Sequence, residues 1–120
     1  MPAPIVFLDI AGPADAGQRA FYAHLFDWQI GADGRFSVPV QSPMPAALRS
    51  DPAEKLVYIG VEDVAATLDK IAAIGGTIDV PRFEVPGSVI LGLFLDPAGN
   101  RMGLVEIEDG QVKVPSATGG

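Results

Sequence analysis

Glu106 closes the stretch LFLDPAGNRMGLVE, residues 93–106, in which two apolar runs flank a turn. A carboxylate near the end of an apolar strand can deliver an oxygen ligand to a metal ion inside a cavity, or it can simply finish a sheet. A catalytic divalent ion usually needs about three protein donors and an open coordination position. Glu106 therefore predicts a metal site only if other donors converge on it.

Two other side chains could take part in acid–base or ligand chemistry. His24, the only histidine, lies off the apolar stripe of a predicted helix, which favours solvent or a contact with Asp27. Asp9 follows a short apolar run and could bind a ligand cation, pair with Arg101, act as a base, or remain in water as a strand-end residue. The chain has no cysteine, so thiolate ligands and cysteine nucleophiles are excluded.

The composition indicates one small domain with an apolar core. The chain has 120 residues, of which 48% are hydrophobic, and its formal net charge of -7 disfavours nucleic acid and anionic lipid as partners. There is no apolar run long enough to span a membrane and no basic signal-peptide start, so we expect a cytoplasmic protein with no membrane partner. Residues 108–120 are polar and small, which predicts a flexible C-terminal tail.

The elements that must position these side chains follow a repeated pattern. Residues 5–10 are a short strand-like run, and Asp15 can then cap a helix whose core face carries Phe21, Leu25 and Trp28. A second strand-like run at 57–61 precedes Asp63, which can cap a helix that ends at Gly75. Strand, capped helix and further strands thus recur about fifty residues apart, which favours a duplicated unit.

The sequence predicts the remaining strands more clearly in the second unit than in the first. In the second half, residues 77–85, 88–95 and 101–107 alternate with turn sequences, which predicts antiparallel hairpins. In the first half, one hairpin is plausible around Asp33 and Gly34, but prolines at 39, 43, 45 and 52 favour loop or edge strand. We therefore expect a shorter or looser first sheet.

Three motifs carry a resemblance to a known superfamily. AFYAHLFDW, VYIGVEDVAATLDKIAAIGGTI and LGLFLDPAGNRMGLVE, in this order, resemble the vicinal oxygen chelate superfamily of glyoxalases, bleomycin-resistance proteins and extradiol dioxygenases. The resemblance implies an α+β fold of two βαβββ modules, about 4–50 and 55–107, within one domain at 1–107. It also implies curved mixed sheets around a shared cavity, and a homodimer. Enzymes of this superfamily hold a divalent metal there, whereas its resistance proteins bind a drug without metal.

The metal ligands of the superfamily are missing at the corresponding positions of this chain. Their places are taken by Phe7, Leu56 and Gly103, and the less securely aligned positions around 46–48 also lack donors. Glu106 lies an odd number of positions after Gly103, so the two residues face opposite sides of a regular strand and Glu106 cannot simply replace the lost ligand. The resemblance thus implies no metal, no other cofactor and no catalytic residue.

The same alternation predicts which side chains line the cavity. If Phe7, Leu56 and Gly103 face inward by analogy, their strand neighbours of equal parity do so too, whereas Val57, Ile59 and Val61 pack under the helices. This inward set is mainly apolar with a few polar groups, as in many small-ligand pockets. The predicted ligand-binding residues are Phe7, Asp9, Tyr58, Arg101, Gly103 and Val105.

The sequence leaves two functional classes open, and a third in which the domain binds no ligand. The sequence favours a metal-free protein of the glyoxalase and bleomycin-resistance type that binds a small, partly apolar or cationic molecule. The alternative is a metal-dependent lyase, isomerase or dioxygenase with non-standard ligands such as Asp9, Glu84 or Glu106. The third is a dimeric domain without a ligand.

Overall fold

The computed structural model describes residues 7–12, 16–42 and 44–117. These residues form two helices and five strands: α1 Ala16–Phe26, β1 Tyr58–Val61, α2 Val64–Ala73, β2 Thr77–Val85, β3 Val89–Leu95, β4 Arg101–Glu108 and β5 Gln111–Val112. Within the described ranges, neither helix has the length and apolar character needed to cross a membrane.

The strands form one open, mixed sheet. Its order is β1-β4-β3-β2, with β1 parallel to β4 and the other pairs antiparallel, and β5 pairs with the far end of β4. The elements β1, α2, β2, β3 and β4 therefore make a complete βαβββ unit in the second half of the chain. The predicted α+β class is confirmed.

In the second half of the chain, the ends of α2 and the β3–β4 turn are set by residues close together in sequence. The Asp63 side chain caps α2 by accepting the Ala66 N–H at 2.9 Å, and Gly75 ends the helix with a φ of 108°. In the turn between β3 and β4, Asp96 Oδ1 accepts the N–H groups of Ala98 and Asn100 at 3.0 and 2.8 Å. Because the cap and the turn each involve residues close together in sequence, the sequence alone could predict where they occur.

The first half is less regular than a full module. Its helix α1 forms, and the predicted turn forms around Gly34, whose N–H donates to Gly31 O at 2.9 Å. Among the described residues between 7 and 57, however, no strand is found, including at 7–10, where one was predicted. The proline-rich stretch after the turn lacks several N–H donors that a sheet ladder needs. Asp15 and residues 1–6 lie outside the described residues.

The hydrophobic core lies between the sheet and the two helices. Val64, Leu68 and Ile71 of α2 pack with Phe94 of β3 and Leu104 of β4. From α1 and the segment after it, Phe21, Tyr22 and Trp28 join this cluster. Val57, Ile59 and Val61 pack against it as predicted. Both helices thus cover one face of the sheet, and we call the opposite face the helix-free face.

The C-terminal segment folds back onto the sheet as far as residue 117. Asp109 and Gly110 both have positive φ, 53° and 76°, which is the geometry of a tight two-residue hairpin turn between β4 and β5. Beyond β5, Pro115 O accepts the Gly87 N–H at 3.0 Å, so the segment also reaches the β2–β3 turn. The Asp-Gly pair is a strong hairpin signal, and it could have predicted this turn within the segment expected to be a flexible tail.

Candidate functional site

The helix-free face collects several of the predicted ligand-binding residues. In the register of the sheet, Tyr58 lies beside Gly103 and Gly60 lies beside Val105. On the other side of β4, Leu93 pairs with Gly103 and Leu91 pairs with Val105. Because residues opposite each other in a ladder share a face, these residues form one apolar patch. Tyr58 is its most exposed member, Leu91 and Val105 are partly exposed, and Leu93 and Gly103 are buried. We call Tyr58, Leu91, Leu93, Gly103 and Val105 the Tyr58 surface.

Gly103 permits the Tyr58 ring to lie directly against the backbone of β4. A Cβ added at Gly103 would collide with carbon atoms of this ring. Tyr58 is nevertheless 47% exposed, so the ring is held on one side by the strand and is open to solvent on the other. An aromatic ring held in this way can stack on an apolar or planar ligand. Gly103, which the resemblance aligns with a metal ligand, here supports an aromatic side chain.

Arg101 is already engaged by carboxylates. Its Nε donates to Asp79 Oδ2 at 2.8 Å, and its Nη1 donates to both carboxylate oxygens of Glu54 at 2.9 Å. Glu54 also pairs with Arg49, and these two arginines hold the pKa of Glu54 below its ordinary value. Arg101 therefore ties the irregular segment before β1 to the sheet. The pairing of Arg101 with Asp9 was one possibility from the sequence, and the structure pairs Arg101 with Asp79 and Glu54 instead.

Phe7 and Asp9 do not join the Tyr58 surface through any contact recorded among the described residues. Both are exposed, Phe7 by 72%, and they lie in an irregular segment before α1. Further along this segment, Ala11 O accepts the Asn100 Nδ2–H at 2.7 Å, so the chain here runs beside the β3–β4 turn. The structure thus brings Tyr58, Gly103 and Val105 together on one face of the sheet, and it places Phe7 and Asp9 in the irregular segment before α1.

Glu106 lies on the helix side of the sheet and acts as a structural anion. It is only 4% exposed, and its carboxylate accepts the Val64 N–H at 3.1 Å, at the first turn of α2. Arg82 donates to it through Nε at 3.3 Å and through Nη2 at 3.1 Å, and Lys113 Nζ lies 3.9 Å away. The Arg82 hydrogen bonds, followed by the Val64 N–H, lower the pKa of Glu106 despite its burial. The prediction that Glu106 and Gly103 face opposite sides is confirmed.

The donor chemistry does not fit the divalent metal of the superfamily. Phe7, Leu56 and Gly103 offer no side-chain N or O ligand. The Glu106 oxygens are taken by Arg82 and a helix N–H, and the Glu84 carboxylate lies 3.5 Å from Arg82. Within residues 7–12, 16–42 and 44–117, no group of three or more His, Asp or Glu side chains is arranged to hold a metal ion.

A buried hydrogen-bond network around Asp96 was not predicted from the sequence. Asp96 is 3% exposed, and its Oδ2 accepts the Tyr22 O–H at 2.9 Å and the Gln18 Nε2–H at 2.7 Å. Burial, followed by the charge of Asp96, raises the pKa of Tyr22. Since the partners are separated by more than 70 positions, only the tertiary structure brings them together. Asp96 is held by both α1 and its own turn, so its role is structural.

Curated proteins similar to this chain are named as glyoxylases. The chain is 28% identical over 113 residues to CFP32 of Mycobacterium tuberculosis and to its counterpart in Mycobacterium bovis, both of which carry the name of a candidate glyoxylase. These alignments cover 82% of this chain but 43% of the relatives, so the chain spans less than half of their length. No model of a protein family matches the chain.

Solved structures with a similar fold come from the same group of proteins. A glyoxalase-related enzyme from Fulvimarina pelagi matches with a TM-score of 0.53 and 21% identity, over 88% of this chain and 94% of that one. A glyoxalase/bleomycin resistance protein/dioxygenase family enzyme from Burkholderia phytofirmans matches with a TM-score of 0.50 and 16% identity, over 77% and 89%. Because the sequence identities are 21% and 16%, these two matches show only that the folds are similar. Together, the glyoxalase-like fold and the glyoxylase-named relatives support the assignment of this chain to the vicinal oxygen chelate superfamily.

Proposed function

We propose that this chain is a metal-free binding protein of the glyoxalase and bleomycin-resistance type, and that it holds a small, partly apolar molecule on the Tyr58 surface. The observation that carries the proposal is the half-exposed Tyr58 ring seated on Gly103. The resemblance aligns Gly103 with a metal ligand, and this chain has no side-chain donor there. The partly exposed Leu91 and Val105 extend the apolar surface around it. A planar or aliphatic ligand would be recognised mainly by stacking and desolvation.

Ligand binding is tested by a thermal-shift screen of small molecules, followed by titration of each hit against Tyr58 variants. We expect Tyr58→Phe to retain the affinity, because the stacking face is unchanged, and Tyr58→Ala to weaken binding by about tenfold or more. Val114→Ala is a matched control, because Val114 is 60% exposed and lies in the C-terminal segment outside the Tyr58 surface. Equal affinities for Tyr58→Ala and the parent protein would refute the proposed location.

The metal-free part of the proposal is tested by metal analysis of protein purified without chelator, followed by calorimetric titration with nickel, zinc and manganese. We expect no stoichiometric tight binding, because the nearest carboxylates are already paired with arginines. One tightly bound ion per chain would instead support the alternative, a metal-dependent lyase, isomerase or dioxygenase with non-standard ligands. Asp9→Asn, Glu84→Gln and Glu106→Gln would then identify which carboxylates bind the ion.

We also propose that the protein acts as a cytoplasmic homodimer. Exposed apolar side chains support the dimer, since solvent contact with such groups is unfavourable and a second copy can cover them. The largest of these are Phe7, Met44, Leu48, Tyr58 and Phe83. The acidic, cysteine-free composition is compatible with the cytoplasm, and fractionation of cells that express the native gene tests the location.

A further inference from the structure

A concave site lies at the C-terminal end of α1. This cleft has a volume of about 580 Å³ and is lined by Phe26, Asp27, Trp28, Gln29, Ser37 and Pro39. It shares no residue with the Tyr58 surface. Its lining combines three apolar side chains with one carboxylate, one amide and one hydroxyl, which is the mixture expected for a small amphipathic ligand.

The apolar wall of the cleft is held by aromatic packing. Trp28 is 7% exposed and stacks on Tyr22 and on Phe36, with ring centroids 5.5 and 5.2 Å apart. Phe26 packs against Trp28 at 5.3 Å. Because these rings are fixed by the core, the wall is formed before any ligand arrives, so little ordering cost would oppose binding.

Asp27 occupies a position that is unfavourable for an aspartate in two ways. It directly follows the last residue of α1 and has a φ of 57°, a left-handed conformation in which glycine is usual at helix ends. Its carboxylate also lies at the helix C-terminus, where the backbone carbonyls repel negative charge. An outlier maintained against both costs points to a role in binding.

The Asp27 carboxylate is oriented but still able to accept a partner. Gln29 Nε2 donates to the backbone O of Asp27 and to its Oδ1, both at 3.2 Å. Among the described residues, no hydrogen bond to Asp27 Oδ2 is recorded, and the residue is exposed. The carboxylate, the helix C-terminus and the net charge of -7 all favour a cation.

We propose that this cleft binds a small organic ammonium ion with an apolar body. The ammonium group pairs with the Asp27 carboxylate. The apolar body lies against Phe26, Trp28 and Pro39, and Ser37 and Gln29 complete the polar rim. The cleft shares no residue with the Tyr58 surface, so this proposal does not rest on ligand binding at that surface.

Trp28 is the only tryptophan in the chain, so its fluorescence reports directly on the cleft. The probe is benzylammonium chloride, and benzyl alcohol serves as a neutral analogue of similar shape. We expect a saturable fluorescence change with benzylammonium at millimolar concentration and a much weaker response to benzyl alcohol. In Asp27→Asn, the affinity for benzylammonium falls by about tenfold, since the charge-assisted contact is lost.

A matched control and a stability measurement separate this role from a structural one. Asp69→Asn removes the same charge from an exposed position on α2 and should leave the affinity unchanged. Asp27→Asn should also raise Tm, because asparagine tolerates the left-handed conformation and removes the repulsion at the helix end. The proposal is overturned by any of three results: no saturable change with benzylammonium, equal affinity in Asp27→Asn, or equal binding of benzyl alcohol. A lower Tm for Asp27→Asn would count against it too, by giving Asp27 a structural role.

Discussion

At Gly103 the missing side chain is what allows the Tyr58 ring to rest on β4. Any larger residue must push this ring away, because the added Cβ would meet ring carbons directly. Glycine in a strand normally weakens the strand, so its presence here reflects the close approach of the ring. The Tyr58 surface therefore depends on one small residue in a central strand.

We expect Gly103→Ala to lower the free energy of unfolding by about 1–3 kcal/mol, because the methyl group overpacks against the Tyr58 ring. Urea unfolding measures the change. The matched comparison is Gly103→Ala made in a Tyr58→Ala background, where the colliding ring is gone and the cost should largely disappear. A similar cost in both backgrounds would show that the ring is not the cause.

Glu106 predicts a defined dependence of stability on pH. Its pKa in the folded protein is lowered from the ordinary value of 4.5, mainly by hydrogen bonds from Arg82. A carboxylate with a depressed folded pKa stabilises the protein fully above its unfolded pKa, and this contribution is lost as the pH falls through the folded value. The stabilisation by Glu106 is therefore present at neutral pH and is lost at pH values below 4.5.

Glu106→Gln should cost about 1–3 kcal/mol of stability at neutral pH, because Arg82 and the buried Val64 N–H lose a charged acceptor. The variant should also show a smaller loss of stability on acidification than the parent protein. Urea unfolding at neutral and acidic pH measures both effects, with the exposed Glu108→Gln as control. An unchanged pH dependence in Glu106→Gln would contradict the assigned role.

At the scale of elements, the C-terminal segment extends the sheet through backbone hydrogen bonds. Lys113 N–H donates to Glu106 O at 3.0 Å, and Gly87 N–H donates to Pro115 O at the same distance. These bonds join the segment to β4 and to the β2–β3 turn. Backbone groups at both places would otherwise face solvent, so the segment also protects part of the sheet edge.

We expect the amide hydrogens of Lys113 and Gly87, which are hydrogen-bonded, to exchange with solvent more slowly than that of Asp109, which lies in a tight turn. Hydrogen exchange followed by NMR gives the protection of each amide. A chain truncated after Glu108 should lose protection at Gly87, since its acceptor is removed. Equal protection of Gly87 in the full and truncated chains would show that the segment does not dock there in solution.

At the scale of the whole molecule, the two halves of the chain are unequal. The second half is a complete βαβββ unit, whereas the described part of the first half contributes one helix, a turn and aromatic side chains to the shared core. The sheet stays open, and apolar side chains on its helix-free face reach solvent. Such a surface is typical of a protein that buries it against a ligand or a second copy.

We expect light scattering at micromolar concentration to give a mass near twice the 12.5 kDa of one chain. The physical reason is the burial of exposed apolar side chains, which is roughly proportional to the area removed from water. Phe83→Asp, which places a charge on a 41% exposed aromatic position, tests whether the helix-free face takes part. A mass near 12.5 kDa for the parent protein would exclude the homodimer under these conditions.

The sequence alone determined features that depend on nearby residues. The Asp63 cap, the stripe of α2, the β3–β4 turn and the opposite facing of Gly103 and Glu106 all follow from spacings of a few positions. Together with the three motifs, these features predicted the α+β class and the superfamily. They also predicted which positions lack metal-binding side chains.

Only the tertiary structure decided which distant groups meet. Arg82 with Glu106, Tyr22 with Asp96, and Arg101 with Glu54 are pairs separated by 24, 74 and 47 positions. Which polar groups pair over such distances depends on how the helices and strands pack. The residue types along a single strand or helix do not predict it. The resemblance, followed by alternation along each strand, could place Tyr58 and Gly103 on one face, but only the sheet register made them neighbours. The cleft around Asp27 likewise depends on how the end of α1 packs with the segment that follows it.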